Sequence, residues 1–260
     1  MGESLRFEGK IHGATISRVS DYWFISISVE TDQKPTCCEN QAIVGVDLGI
    51  KALATLSDGT IIENHNPLKR QLYRLKRYQR RLSKKQKGSG NYRKAKSELS
   101  RLHYRIACKR NYRTHKLTPM LTTNYRHIVI EDLDISKMVK NKRLSQAILD
   151  GGWYEFRRQL SYKAELKGNK IYIADKWYAS SKQCSCCGHY KKDLTLSERI
   201  YRCSACSQEM DRDLNAAKCL EQLINTVSFT GIEACGQEGS VIMLKTSSQP
   251  AWMNQELSPV

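Results

Sequence analysis

Residues 42–60, AIVGVDLGIKALATLSDGT, decide the fold. The run AIVGVDL (42–48) is apolar throughout until Asp47, the composition of a strand buried on both faces with a carboxylate near its end. Lys51 to Leu56 forms the return strand, Ser57-Asp58-Gly59 the turn after it, and Thr60 to Ile62 a short third strand. A carboxylate inside such a strand costs several kcal/mol unless it is paired or bound to metal. The plainer role, an Asp capping a turn at the strand end, also suits Asp47 on its own. The balance changes if other strands end the same way.

They do. Residues 126–132, RHIVIED, are a second apolar strand ending in Glu131 and Asp132, and Lys170 to Ala174 is a last strand. Residues 133–152 read as a polar loop. Trp153 to Leu166 reads as a helix with Trp153, Phe156, Leu160 and Ala164 on one face. A final helix is expected from Asp213, its face Leu214, Ala217, Leu220 and Ile224 docking on the sheet. Upstream, Ile11, Ala14, Ile16 and then Trp23, Ile25, Ile27, Val29 alternate about a turn at Ser20-Asp21, giving two antiparallel strands. A lone hairpin is marginal in water, so this one must pack on something. Residues 31–41 are a polar linker in which the adjacent Cys37 and Cys38 are incidental, and the tail from Asn225 to Val260 is expected to be loosely ordered.

Between the two groups of strands lie residues 67–87 and 91–118, joined by Lys87-Gly88-Ser89-Gly90. Leu68, Leu72, Leu75 and Leu82 face Tyr92, Ala95, Leu99, Leu102 and Ile106 at helical spacing, the seam of an antiparallel helical hairpin. Net charge is +17 over 260 residues. From Lys69 to Lys116 there are nineteen Lys and Arg against one acid, Glu98, a net of +18, so the remainder sums to −1. A merely solvated helix face intersperses acids. A single-sign face suits a polyanion, with Arg74, Arg77, Arg80, Arg81, Lys84, Lys85, Lys94, Arg101, Arg105 and Arg110 as candidate phosphate contacts.

Ten cysteines occur without a hydrophobic leader, which points to a reducing compartment and to metal. Cys184/Cys187 and Cys203/Cys206 are two Cys-x-x-Cys knuckles separated by fifteen residues, the pattern of a structural zinc site; two disulfides or four unrelated thiols are the competing reading. Asp211-Arg212-Asp213 follows directly. No apolar run approaches the ~20 residues that span a bilayer, so no membrane partner is expected.

Asp47, Glu131 and Asp213 thus sit at three element boundaries. Carboxylates brought together raise one another's pKa. A pair of Mg²⁺ ions ~3.5–4 Å apart removes that problem and can drive phosphodiester cleavage. The element order with acids at these places describes an RNase H-like nuclease: an α/β mixed sheet flanked by helices, carrying a basic helical hairpin and an inserted zinc ribbon.

The chain also resembles the TnpB/OrfB family of insertion-sequence transposon-encoded proteins, relatives of the type V CRISPR nucleases. The matching residues are GVDLGIKALATLSDG (45–59), QRRLSKKQKGSGNYRKAK (79–96), IVIEDL (128–133), SSKQCSCCG (180–188) and DRDLNAAKCL (211–220). The resemblance implies an RNA-guided DNA endonuclease with a RuvC-like domain and catalytic, magnesium-binding Asp47, Glu131 and Asp213. It makes Cys184, Cys187, Cys203 and Cys206 zinc ligands, with Cys186 outside the set and Asp211 supporting. It divides the chain into the last hairpin of a wedge-like β-barrel (1–36), a RuvC-like core (37–176) with its helical hairpin (67–118), the zinc ribbon (177–210), the last RuvC helix (211–226) and a tail (227–260). Family members carry a hundred or more further residues upstream, so an N-terminally truncated form is expected. DNA and a guide RNA from the transposon end are the implied partners, and the prokaryotic cytoplasm, at the nucleoid, the implied place. Competing functions are a catalytically inactive DNA- or RNA-binding regulator of the element, a zinc-ribbon interaction module, and a recombinase; two-metal chemistry accepts water or a DNA hydroxyl as nucleophile.

Overall fold

The structure, a computed structural model, describes residues 9–30, 40–176, 178–195, 197–228 and 241–243. Cys37, Cys38 and most of the linker around them lie outside the described residues, as does most of the tail. In chain order the elements are β1 (Lys10–Val19), β2 (Tyr22–Glu30), β3 (Ile43–Leu48), β4 (Ala52–Leu56), β5 (Ile61–Glu63), α1 (Pro67–Ser83), α2 (Gly90–Asn124), β6 (His127–Glu131), α3 (Ile135–Val139), α4 (Ser145–Gly151), α5 (Trp153–Leu166), β7 (Lys170–Ala174), β8 (Ile200–Arg202), β9 (Glu209–Asp211), α6 (Arg212–Ser228) and β10 (Val241–Met243).

Six strands form one mixed sheet in the order β10-β7-β6-β3-β4-β5. β3, β4 and β5 pair antiparallel as a meander; β6 and β7 join on the other side of β3 in parallel, and β10 extends the parallel edge. Strands this apolar must be covered on both faces. Side chains alternate along a strand, and β3 divides them cleanly. Val44, Val46 and Leu48 enter the main core with Leu121 of α2 and Phe156 and Leu160 of α5. On the opposite face Ile43 packs with Val129, Ala174, Leu220 and Ile224, beneath α6.

Four local expectations need correction. The stretch 133–152 is not a loop: it holds α3 and α4, and Ile148 and Asp150 are buried. α2 does not stop before Pro119 but continues to Asn124, because the last turn buries Leu121 and Thr122, which offsets the hydrogen bond that proline forfeits. The tail is not wholly irregular, since β10 falls within it. Finally, the β1–β2 hairpin is anchored to α2 at its turn end, where Tyr22 lies 4.8 Å from the Tyr104 ring and Asp21 accepts from Arg101 and Ser97, while Ile16 and Trp23 stay about two-thirds exposed.

The α1–α2 hairpin closes on Leu75, Leu102 and Ile106, with Leu68 and Leu99 beside them. Ser89 caps α2 by accepting from the Tyr92 amide at 3.1 Å. α1 has no such cap of its own. Asp150, 2% exposed, supplies one from α4: its carboxylate accepts from the amides of Leu68 (3.0 Å) and Lys69 (3.5 Å), and from Arg110 at 3.4 Å.

Candidate carboxylate centre and cysteine cluster

Parallel pairing sets the first two acids side by side. β3 and β6 run in register from Ile43↔His127 to Val46↔Ile130, so one more step places Asp47 next to Glu131. Both point to the α6 face, as odd-numbered neighbours of Gly45 and Val129 on their strands.

The third acid arrives through Gly45. A Cβ built there would lie 1.9 Å from the Ala217 carbonyl oxygen and 2.6 Å from the Glu221 amide, so α6 rests directly on the strand backbone. From Gly45 to Asp47 is ~6.6 Å along a strand. From Ala217 back to Asp213 is ~6 Å along a helix. The two steps match, and the first turn of α6 therefore hangs over Asp47.

Electrostatics agree with this geometry. Burial first, then the charges of Glu131 and Asp213, push the Asp47 carboxyl well above the usual carboxylate range, with Arg212 offsetting part of the effect. Burial also raises Glu131, opposed by a short hydrogen bond donated from Ser180 to its Oε1. Asp211 serves the helix: its Oδ1 accepts from the amides of Asp213 (2.9 Å) and Leu214 (3.2 Å), capping α6 where an acid also suits the helix dipole.

Cys184, Cys187, Cys203 and Cys206 come together with all four Sγ atoms within 4.8 Å of one another. Cys184–Cys206 and Cys187–Cys203 stand 3.7 and 3.6 Å apart, far beyond a disulfide bond. A tetrahedral ion with ~2.3 Å sulfur bonds requires edges of ~3.8 Å, so the cluster can hold a metal such as zinc. Amides around the second knuckle, Cys206 first, hold the Cys203 thiol at about 6 against its desolvation. At Cys206 the Gln208 amide favours the thiolate, but Cys187, burial and Cys203 outweigh it and push the thiol up to about 12. Thus one sulfur ionises readily and its neighbours resist until a cation joins them. Among the described residues this is the one group of His, Cys, Asp or Glu gathered closely enough to hold a metal as it stands; the three acids are wider set.

Cluster and carboxylates are tied together by residues to which the sequence alone assigns no role. Asn215, fully buried on the first turn of α6, accepts from the Ser185 amide at 3.0 Å and donates to the Gln183 carbonyl at 2.6 Å. Gln222 donates to the Ser185 carbonyl at 2.6 Å. The first knuckle is thereby fastened to the helix that carries Asp213. Asn215 and Ser180 stand within the quoted DRDLNAAKCL and SSKQCSCCG stretches, which was the available signal.

Of the candidate phosphate contacts, Arg74, Arg77, Arg80, Lys84, Lys85, Lys94 and Arg105 are exposed on α1, α2 and their connection. Arg81 pairs with Glu98 and Arg101 with Asp21. Arg110 is a correction: its guanidinium, only 28% exposed, is turned inward to Asp150, where it answers a buried charge.

Comparison with known proteins places this geometry in context. Residues 26–142 match the OrfB_IS605 family, described as a probable transposase, and residues 153–220 match the Cas12f1-like TNB domain. A protein of Escherichia coli K12 named "Putative RNA-guided DNA endonuclease InsQ" is 36% identical over 230 residues, 83% of this chain and 57% of that one. A Streptomyces pristinaespiralis protein, "Putative RNA-guided DNA endonuclease", is 39% identical over 196 residues, 75% of this chain and 48% of that one. The chain spans about half the length of these curated relatives. A chain from the cryo-EM structure of a CRISPR-Cas12f ternary complex shares the fold with a TM-score of 0.52 at 19% identity, covering 76% of this chain and 42% of that one.

Proposed function

The chain belongs to the OrfB/TnpB family of transposon-encoded proteins, and from that premise we propose that it carries a RuvC-type, metal-dependent phosphodiesterase centre that cuts DNA under RNA guidance. The observation that carries the reading is the pressure on Asp47: two further carboxylates from separate elements, Glu131 and Asp213, act on it at the end of a central strand. Structural packing alone gives no reason to gather three like charges there. The β5-β4-β3-β6-β7 order, with its acids on one face, supports the RNase H-like assignment.

The donor set fits hard divalent cations, being all carboxylate oxygen. Mg²⁺ bound there would activate a water and stabilise the leaving oxygen. The chain's own residues prepare the centre. Ser180 fixes the Glu131 carboxylate by donating to it. Asp211 caps α6 and so fixes the backbone under Asp213. The cysteine cluster, holding structural zinc, anchors the same helix through Asn215. On this reading residues 37–176 and 211–226 make the nuclease core, 177–210 the zinc ribbon and 1–36 the edge of a separate barrel.

Names and titles of relatives supply the partners proposed here, DNA and a guide RNA, and the exposed cations of α1 and α2 offer them a phosphate track. Among the described residues no helix is long and apolar enough to cross a membrane, in keeping with work at DNA in the cytoplasm. Incubation of labelled single-stranded DNA with the chain and Mg²⁺ tests the proposal. Cleavage that disappears in Asp47→Ala is expected. Absence of cleavage, or cleavage unchanged in that variant, refutes it; salt-sensitive binding without turnover would instead favour a regulator that only binds nucleic acid.

A further inference from the structure

The strongest feature left without a role is the outer face of α5. The helix buries Trp153, Phe156, Leu160 and Ala164 in the core. Its adjoining face, with Tyr154, Arg157, Arg158, Ser161 and Tyr162, lines a cleft of ≈ 410 Å³ whose floor includes Leu48, Ile130 and Glu131. Tyr154 to Tyr162 span ~12 Å of helix. The cleft thus starts at the carboxylate centre and runs away from it along a strip of rings and guanidinium groups.

That strip is ordered before any guest arrives. Arg158 donates to both Glu155 carboxylate oxygens, at 2.7 and 2.8 Å, and its guanidinium lies 5.7 Å over the Tyr162 ring. Arg157 is held to Asp132, the neighbour of Glu131, at 2.8 Å with its side chain 20% exposed. Tyr154, by contrast, is 51% exposed. Pinned side chains lose little entropy on binding, and an exposed tyrosine beside a cleft offers a ring face for stacking. The volume falls in the range of sites that enclose a small-molecule-sized guest, ~300–1,000 Å³. A guest matching both ends needs a phosphate at the carboxylate end, where cations would receive it, and a free aromatic face along α5. A base within a duplex has its faces covered by its neighbours; an unpaired nucleotide does not.

We propose that the α5 cleft is the subsite for an unpaired nucleotide next to the scissile phosphate, with Tyr154 stacking on its base and Arg158 facing the adjoining phosphate. The assignment rests on the phosphodiesterase reading for its orientation, and it makes α5 a source of preference for single strands at the cut. Tyr154 is a binding residue here, and Arg157 and Asp132 position the wall.

The test is a short single-stranded oligonucleotide carrying 2-aminopurine, titrated into the chain and into Tyr154→Ala, Tyr154→Phe and Arg158→Ala. Fluorescence reports stacking on a ring, so general attraction to the basic hairpin does not imitate it. Stacking on an aromatic side chain is worth about 5- to 150-fold in affinity. Tyr154→Ala is expected to weaken binding within that range and to lose the quench; Tyr154→Phe keeps both, and Arg158→Ala weakens binding with the quench intact. Equal binding and quench in Tyr154→Ala, or no quench in the unmodified chain, overturns the subsite. Cleavage assayed in parallel with Asp47→Ala judges the carboxylate centre separately. A quench that depends on Tyr154 without any cleavage would sink the phosphodiesterase reading and leave the nucleotide subsite standing.

Discussion

Gly45→Ala is the perturbation that joins fold to site most tightly. The added Cβ would meet the Ala217 carbonyl oxygen at 1.9 Å, the Glu221 amide at 2.6 Å and the Ala217 carbonyl carbon at 3.0 Å. Ordinary contact begins at 3.4 Å, so α6 must retreat by about 1.5 Å (3.4 − 1.9). The obstructing atoms are backbone, which no rotamer change can move. Overpacking a core costs ~1–3 kcal/mol and occasionally more, and a clash with a helix backbone belongs at the upper end. Asp213 rides on the first turn of that helix, and a 1 Å misplacement can cost ~10²-fold in rate. Urea denaturation and a Mg²⁺-dependent cleavage assay read the two effects. Gly13→Ala is the control, since a Cβ there meets nothing within 4 Å. Ala217→Gly should not rescue Gly45→Ala, because the clash is with the carbonyl. A Gly45→Ala chain that unfolds at the same urea concentration and cuts at the same rate would refute the packing and, with it, the placement of Asp213.

Four other outcomes are expected. Asp47→Asn should abolish cleavage yet stabilise the metal-free chain. A carboxyl whose folded pKa is raised keeps its proton where the unfolded chain, titrating near ~4, has lost it, so its contribution falls as pH rises through that window; the melting-temperature gap between variant and parent should therefore widen from pH 5 to pH 8, and a constant gap would contradict the burial of Asp47. Asp150→Ala removes the cap of α1 and strands Arg110, a loss of about 3 kcal/mol measurable in urea; less than ~0.5 kcal/mol would show that the α4 contact does not hold the hairpin. Cys184→Ser and Cys206→Ser should each lower zinc content and weaken protection of the α6 amides against hydrogen exchange, and full zinc loading in both would overturn the ligand assignment. Replacing Lys84 and Lys85 by Ala should weaken nucleic-acid binding evenly across sequences and reduce the salt slope by roughly 0.7–0.9 per lost phosphate contact; an unchanged slope removes these residues from the phosphate track.

Much of the sheet was legible because its strands are apolar runs closed by acids, a pattern with few alternatives. AIVGVDL and IVIED align in the structure as read, and the leucines of α1 and α2 meet as their spacing predicts. What escaped was set by partners distant in the chain. Asp150 looked like one more polar residue in a polar stretch; only the uncapped N-terminus of α1, 82 residues away, explains why it is buried. Arg110 was indistinguishable from the other cations of α2 until that same carboxylate claimed it. Pro119 argued for a helix end, and burial of the turn beyond it overruled the local preference. Asn215 and Ser180 carried no chemistry by type, because fixing a knuckle or a carboxylate is a property of position. Similarly, the importance of Gly45 lies in the helix that rests on it, which no local pattern announces.

The convergence of Asp47, Glu131 and Asp213 on one cation site can be read without any nucleic acid. Fe²⁺ substituted for Mg²⁺, with peroxide added, cuts the protein backbone near the bound iron. Three groups of cuts are predicted, at the ends of β3 and β6 and at the start of α6, all suppressed by excess Mg²⁺ and lost together in Asp47→Ala. Cuts at only one of these places, or a pattern indifferent to Asp47, would contradict the site.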